Sequence, residues 1–195
     1  DGATPEGRYR ISSKRGQGWE GYKVHLTETV DDDAPRIITD IQTTCAPASD
    51  FDQLEPVQKA LEARDVMPAQ HIVDMGYVSG KNIAKSRDHH IELIGPARPG
   101  SSPQARMEGG VTLEQFTIDY LNRVAHCPQG HPSIRWQQTD PQGQPLVLVE
   151  FDQAICTTCP LFKQCVVRSG KGRLGRTLKL RPFHQELIEQ RRKQK

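Results

Sequence analysis

QHIVDMGYVSGKN, at residues 70–82, is the stretch around which the chain is organised. Its apolar residues Ile72-Val73 favour a short buried strand, and Asp74 stands at the C-terminal end of that strand. Gly76 permits a sharp exit, and Ser79 can cap the helix that follows. Because ligands of open α/β sheets gather at the carboxyl ends of strands, Asp74 is the first candidate for chemistry. A loop-capping role is the alternative.

The bulk composition is that of an ordinary globular protein. A chain of 195 residues suits one domain, or one domain with an insertion. The net charge of +2 is too small to identify a nucleic-acid binder by itself. No apolar run reaches the roughly 20 residues that a membrane span needs, and no signal peptide is visible. Five cysteines, an odd number, indicate a reducing, cytoplasmic compartment and a metal site rather than a disulfide framework.

Hydrophobic periodicity predicts alternating strands and helices in the first half of the chain. Strand-period alternation predicts an antiparallel hairpin, and the acidic turn at 31–33 is interpreted as its solvated tip rather than a metal site. Leu54, Val57 and Leu61 recur at helical spacing. The predicted order is a hairpin, a helix, a strand, a helix and a strand, at residues 19–45, 48–63, 70–74, 81–89 and 91–96. This order predicts a mixed α/β sheet with helices packed on it, in which the hairpin flanks the Asp74 strand.

The second half of the chain has a different character. Residues 98–110 are rich in Pro, Gly and Ser and form the best candidate linker. Residues 111–181 read as a small β-rich module, and 182–195 as the start of a basic amphipathic helix. Residues 1–18 read as an extended lead-in. Within the module we expect strands at 114–120 and 146–151 and a tight turn at 127–131.

Four cysteines give the strongest spacing signal in the chain. They are Cys127, Cys156, Cys159 and Cys165. Soft thiolates at these separations suit a tetrahedral Zn²⁺ ion, and a closed four-ligand site would be structural. A module this small buries little apolar area, so a metal could supply much of its folding energy. His126 and His131 are alternative ligands, and free or redox-active thiols are the alternative chemistry.

Basic and histidine side chains supply weaker signals. A run of lysines and arginines in residues 168–181 could track a phosphate backbone, and a solvated basic face is the alternative. The residues predicted to contact DNA are Lys14, Arg15, Lys23, Arg173, Arg176, Lys179 and Arg181. His25 and His71, on predicted strands, are expected to be packed or hydrogen-bonded rather than catalytic.

Several motifs, taken together and in order, resemble bacterial insertion-sequence transposases of the IS1182 type. The resemblance covers nearly the whole chain, and the joint order of the motifs is more specific than any one of them. The motifs include RYRISSKRG at 8–16, WEGYKVHLTET at 19–29, VDMGYV at 73–78, CPQG at 127–130, CTTCP at 156–160 and HQEL at 184–187.

The resemblance implies a ribonuclease-H-like core in which three carboxylates, Asp-Asp-Glu, hold two divalent ions, Mg²⁺ or Mn²⁺. Two hard cations need oxygen ligands and can stabilise both the entering and the leaving oxygen of a phosphodiester. Asp74 matches the second carboxylate, which makes it the expected catalytic residue and Mg²⁺ ligand. The cysteine module would then be an insertion between the second and third carboxylates. The implied partners are insertion-sequence ends, target DNA and further copies of the chain, and the implied location is the bacterial nucleoid.

The sequence departs from the full family pattern at both ends. The first Asp belongs on a strand before the hairpin, and residues 1–18 do not resemble that strand. Glu186 and Glu189 do not match the context of the final Glu. We therefore expect a fragment with one of three metal ligands that does not cut DNA alone. The alternatives are a non-catalytic, zinc-stabilised DNA-binding module and a redox or metal-handling protein.

Overall fold

A computed structural model describes residues 10–11, 18–19, 21–167 and 175–194. The chain divides between Pro96 and Ala97 into two compact units, here called the N-terminal unit and the C-terminal unit. Within the described residues, every helix is too short or too polar to cross a bilayer.

The N-terminal unit contains six strands and two helices in the described residues. They are β1 (Arg10–Ile11), β2 (Gly18–Trp19), β3 (Tyr22–Glu28), β4 (Ile38–Cys45), α1 (Leu54–Ala63), β5 (Gln70–Ile72), α2 (Gly80–Asp88) and β6 (Glu92–Ile94). The predicted order of hairpin, helix, strand, helix and strand is confirmed. The expectation of a single sheet is wrong for these residues, because β1–β2, β3–β4 and β5–β6 form three separate two-stranded sheets.

The β5–α2–β6 segment is a parallel strand pair with a helical crossover, and its local chemistry follows the sequence. The Ser79 hydroxyl accepts a hydrogen bond from the Asn82 backbone N–H at 3.1 Å, which caps α2 as predicted. The Asn82 side chain donates to the carbonyl oxygens of Phe51 and Tyr77, both at 2.8 Å. The helix start is therefore tied to the loop that leaves β5.

The β3–β4 hairpin is amphipathic in an unexpected sense. Its apolar face, which includes Val24 and Leu26, is more than half exposed. The opposite face buries His25 and Asp40, although both side chains are polar. Helix α1 lies against β4 and buries its own apolar stripe, in agreement with the predicted inward positions Leu54, Val57 and Leu61.

The C-terminal unit contains five strands and three helices in the described residues. They are β7 (Thr117–Asp119), β8 (Val124–His126), β9 (Arg135–Thr139), β10 (Leu146–Glu150), α3 (Gln153–Thr158), α4 (Phe162–Cys165), β11 (Thr177–Leu180) and α5 (His184–Lys193). Antiparallel pairing gives a three-stranded sheet of order β11–β10–β9 and a separate β7–β8 pair. Together the two units confirm the predicted mixed α/β class.

A contiguous apolar core fills the C-terminal unit. It consists of Val111, Phe116, Ala125, Val149, Phe151, Cys165, Val166, Leu178 and Leu180. The predicted strand at 114–120 is shorter than expected, because a capping box between Thr112 and Gln115 holds residues 113–115 in a 3₁₀ turn. The short helices α3 and α4 escaped the sequence reading, since neither is long enough to show a helical period.

Candidate functional site

Asp74 lies just beyond β5, on the loop that leads to α2. The ladder with β6 continues through Val73, whose backbone N–H donates to the Ile94 carbonyl at 2.8 Å. The Asp74 carboxylate then accepts the Gly76 backbone N–H at 2.5 Å, which folds the loop back around it. The side chain is exposed, so the strand presents Asp74 at its carboxyl end as predicted.

A second carboxylate, which the sequence reading treated only as part of a helix entry, lies beside Asp74. A Cβ atom added to Gly76 would lie 2.8 Å from Oδ1 of Asp74 and 3.0 Å from Oδ2 of Asp50. Lys23 donates to Asp50 at 2.7 Å and to the Ala48 carbonyl at 2.5 Å. Lys23, which was predicted to contact DNA, therefore forms an ion pair with Asp50. Because Gly76 has no side chain, the carboxylates of Asp74 and Asp50 can both lie close to its backbone.

Tyr77 anchors the Asp74 loop to the hairpin. Its hydroxyl is hydrogen-bonded to Nδ1 of His25, and Nε2 of His25 lies 3.0 Å from the Thr44 hydroxyl. The rings of His25 and Tyr77 pack edge to face with centroids 5.7 Å apart. Burial, and then the negative charges of Asp50 and Asp74, raise the pKa of Tyr77, so its hydroxyl stays protonated. His25 is hydrogen-bonded, as predicted.

A groove of about 260 Å³ lies next to Asp74 within the N-terminal unit. Residues 25–27 of β3 form one wall, residues 71–74 at the end of β5 form the other, and Leu54 and Val57 of α1 also line it. In the described residues β3 pairs only with β4, and β5 pairs only with β6. The groove therefore runs between two strands whose facing edges carry no ladder partner in the described part of the chain.

His71 faces the same groove and is chemically unusual. It is 8% exposed, and its Nδ1 atom has no hydrogen-bond partner among the described residues. Burial lowers the pKa of His71, so the neutral ring is favoured. It is packed, as predicted, but one of its ring nitrogens is unsatisfied, which is uncommon for a buried polar atom.

The four cysteines converge in the C-terminal unit. Cys127 begins a turn in which its backbone N–H donates to the His131 carbonyl at 2.9 Å, and Gly130, at φ +81°, donates to the Cys127 carbonyl at 2.8 Å. Cys156 lies in α3, Cys159 follows that helix, and Cys165 ends α4. All four, together with His131, line one small cavity.

The cysteine thiols are free, and the surroundings of Cys156 and Cys165 shift the pKa values of these two thiols. Burial raises the pKa of Cys165 to about 11, and burial also raises the pKa of Cys156. Among the residues that the structure describes, no group of three or more His, Cys, Asp or Glu side chains has a metal-coordinating arrangement. The four cysteines predicted as zinc ligands line one cavity, and their role as ligands, like the zinc ion itself, stays a prediction.

Arg176 is buried beside these thiols. Its guanidinium donates to the carbonyl oxygens of Cys165 at 2.8 Å and Val111 at 3.4 Å, and it lies 5.5 Å from the centre of the Phe116 ring. At 9% exposure it cannot reach a phosphate, so the prediction that Arg176 contacts DNA is wrong. A basic residue within a charged run is normally predicted to be exposed, and no feature of the local sequence indicated that Arg176 is buried.

The other residues predicted to contact DNA divide between two groups. Lys179 on β11 and Arg181 just after it are exposed, and Arg181 donates to the Gln144 side chain at 3.2 Å. Lys14, Arg15 and Arg173 lie outside the described residues. Of the seven residues predicted to contact DNA, Lys179 and Arg181 therefore remain exposed at the described surface of the C-terminal unit.

Comparison with known proteins gives one match. Residues 126–195 match a family model described as "Transposase DDE domain". The matched segment contains the four cysteines and α5, and it does not include Asp74. Searches of curated proteins and of solved structures returned no match. The match supports a DDE transposase and carries no information about the IS1182 type.

Proposed function

We propose that this chain is part of a DNA transposase of the DDE class, of the IS1182 type. The observation that carries the proposal is the match of residues 126–195 to a transposase DDE domain. Asp74, in the other unit, adds support because it is an exposed carboxylate at the end of a parallel strand, where α/β sheets gather their ligands. We assign Asp74 as the second carboxylate of the triad.

The element order of the N-terminal unit is consistent with a partial ribonuclease-H-like core. A hairpin, a helix and a parallel strand pair with a helical crossover follow one another in the order that the resemblance implies. The groove between β3 and β5 is where a further strand would unite the two sheets. We propose that such a strand, carrying the first Asp, completes the core in the active enzyme.

The divalent ions of the family do not fit the described residues around Asp74. Two hard cations need several oxygen ligands, and Asp50, the nearest second carboxylate, is paired with Lys23. The described residues hold no group of three possible ligands at this site. Asp74 can therefore contribute one ligand to an Mg²⁺ or Mn²⁺ site whose other ligands come from elsewhere.

An assay on the purified 195-residue chain tests the incomplete core. We expect no cleavage and no strand transfer of plasmid or oligonucleotide DNA in Mn²⁺, because one carboxylate cannot hold two catalytic ions. Turnover that disappears in Asp74→Ala would show that the core is already complete. Turnover that persists in that variant would overturn the assignment of Asp74.

DNA binding tests the transposase assignment more broadly. We expect fluorescence anisotropy with a duplex to show binding that weakens steeply with salt, and Lys179→Ala with Arg181→Ala to weaken it and flatten the salt slope. Lys59→Ala with Lys81→Ala, which removes two cations from the N-terminal unit, is the matched control. Absence of binding at low salt would contradict the proposal. The insertion-sequence ends, the oligomer and the nucleoid location follow from it as further proposals.

A non-catalytic, zinc-stabilised DNA-binding module is the second candidate. The convergence of four cysteines inside residues 126–195 favours it, because that segment could fold around a metal without any catalytic carboxylate. Joining the chain to an upstream segment with an Asp-bearing strand and a downstream segment with a Glu-bearing helix separates the two functions. Cleavage restored by these additions favours the transposase, and binding without cleavage favours the module.

A further inference from the structure

The cysteine cavity of the C-terminal unit gathers four possible soft metal ligands. Three short backbone turns aim at it: the Gly130 turn after Cys127, the turn between Cys156 and Cys159, and the α4 turn that ends at Cys165. Its volume is about 30 Å³, which holds one small ion or water and no organic ligand. The cavity is therefore large enough for a single ion.

Arg176 supplies a second and independent observation. Its side chain is nine-tenths buried and lines the same cavity, and its Nε atom has no hydrogen-bond partner in the described residues. None of the ion pairs described for this chain gives Arg176 a carboxylate partner. Asp152 is the one carboxylate among the described residues that line the cavity, and its Oδ1 accepts the Ala154 backbone N–H instead of pairing with Arg176. The buried guanidinium therefore has no counter-charge in the described residues, which is costly.

A metal bound by thiolates supplies that charge. When four thiols bind one Zn²⁺, four protons leave to solvent, and the centre carries a net charge of −2, which a neighbouring guanidinium offsets in part. Neutral thiols would leave the buried positive charge without a partner.

We propose that Cys127, Cys156, Cys159 and Cys165 bind one Zn²⁺ ion as a structural tetrathiolate site, with Arg176 as its buried counter-cation. Binding requires the thiols to turn inward, since the described side chains are not in coordinating geometry. His131 lines the cavity but is not a ligand in this assignment. The inference stands independently of the transposase proposal.

Metal content of the purified full chain is the direct test. We expect about one zinc per chain by plasma mass spectrometry, and thiolate-to-cobalt charge-transfer bands with tetrahedral d–d bands after Co²⁺ substitution. Chains without zinc whose five thiols all react with a thiol reagent would overturn the proposal. A Cys156–Cys159 disulfide in protein purified under reducing conditions would also overturn it.

Variants separate the four ligands from other groups. Cys159→Ser should lose at least tenfold in zinc affinity, measured by competition with a chromogenic chelator, and should change the cobalt spectrum. Cys45→Ser, on β4 of the other unit, is the matched cysteine control and should leave both unchanged. His131→Ala should also leave both unchanged. Zinc that survives in Cys159→Ser, or that is lost in His131→Ala, would overturn the ligand set.

The role of Arg176 as a positioning residue needs its own readout. Arg176→Met should weaken zinc about 10- to 100-fold, and Arg176→Lys, which restores the charge, should recover part of that loss. A purely structural arginine would give equal zinc affinities in the two variants. Circular dichroism of the zinc-saturated proteins checks that both fold, and an unfolded Met variant leaves the lysine variant and wild type for comparison. Equal affinities in Arg176→Lys and Arg176→Met would contradict the counter-cation.

Discussion

The two units treat apolar side chains in opposite ways. In the C-terminal unit, β10 and β11 place Val149 and Leu180 in a contiguous core at no more than 2% exposure. In the N-terminal unit, the hairpin leaves Val24 and Leu26 about 60% exposed and buries the polar His25 instead. Contiguous exposed apolar surface of this kind is typical of interaction sites. Among the described residues, the C-terminal unit encloses its apolar core, whereas the hairpin of the N-terminal unit presents an exposed apolar face.

Among the predicted effects on stability, we expect removal of zinc to give the largest, and to act on the C-terminal unit only. Zinc binding in small thiolate modules is worth on the order of 10 kcal/mol, so chelation should unfold the C-terminal unit despite its core. We expect amide hydrogen exchange in β10 and β11 to become fast, while α1 in the N-terminal unit stays protected. Chelator added to Cys159→Ser should cause no further change. Strands that remain protected after complete zinc removal would show that the apolar core suffices.

Two leucine-to-alanine variants, one in each unit, measure how much a buried and an exposed leucine contribute to the free energy of unfolding. Leu180→Ala should lower the free energy of unfolding by about 2–5 kcal/mol, because it leaves a cavity in a packed core. Leu26→Ala, at 61% exposure on the hairpin, should change it by no more than about 0.5 kcal/mol. Urea denaturation with Trp136 as the reporter, in a Trp19→Phe background, measures the first variant, and hydrogen exchange of β3 measures the second. A large cost for Leu26→Ala would mean that the hairpin face is already covered in solution.

Gly76→Ala probes the closeness of the two carboxylates in the N-terminal unit. The added methyl group would approach Asp74 and Asp50 oxygens to 3.0 Å or less, so we expect a cost of about 1–3 kcal/mol in unfolding free energy. In an Asp50→Ala background the cost should be smaller, because one of the two clashes is gone. A double-mutant cycle from urea denaturation measures the difference. Equal costs in both backgrounds would place Asp50 away from the Asp74 loop.

The sequence predicted what local chemistry controls. The strand before Asp74, the Ser79 cap, the inward stripe of α1 and the hairpin follow from propensity, capping and periodicity, and all are present. The spacing of the four cysteines also predicted that they would lie close together, and they line one cavity because short turns separate them.

What the sequence could not predict depends on contacts between distant residues. Asp50 reaches the Asp74 loop across 24 positions of sequence, and only the packing of that loop brings the two carboxylates together. Arg176 reads as one more cation in a basic run until the fold buries it. The outward apolar face of β3 is also invisible, because strand alternation reveals two faces without saying which one is covered.

Tyr77→Phe gives the smallest and most specific test of how the N-terminal unit is held together. Loss of the hydroxyl leaves Nδ1 of buried His25 without its partner, so we expect a cost of about 1–2 kcal/mol in unfolding free energy.

The pKa of Tyr77 is raised above its unfolded value, which is about 10. The protonated hydroxyl therefore contributes stability that is fully present below the unfolded pKa and is lost as pH rises through the folded pKa. Urea denaturation across alkaline pH measures this pH-dependent contribution of the Tyr77 hydroxyl. As pH rises, the free energy of unfolding of wild type should fall more steeply than that of Tyr77→Phe. Parallel curves for wild type and Tyr77→Phe would mean that the tyrosine does not join the loop to the hairpin, and that the Asn82 side-chain bonds and the β5–β6 ladder hold the Asp74 loop instead.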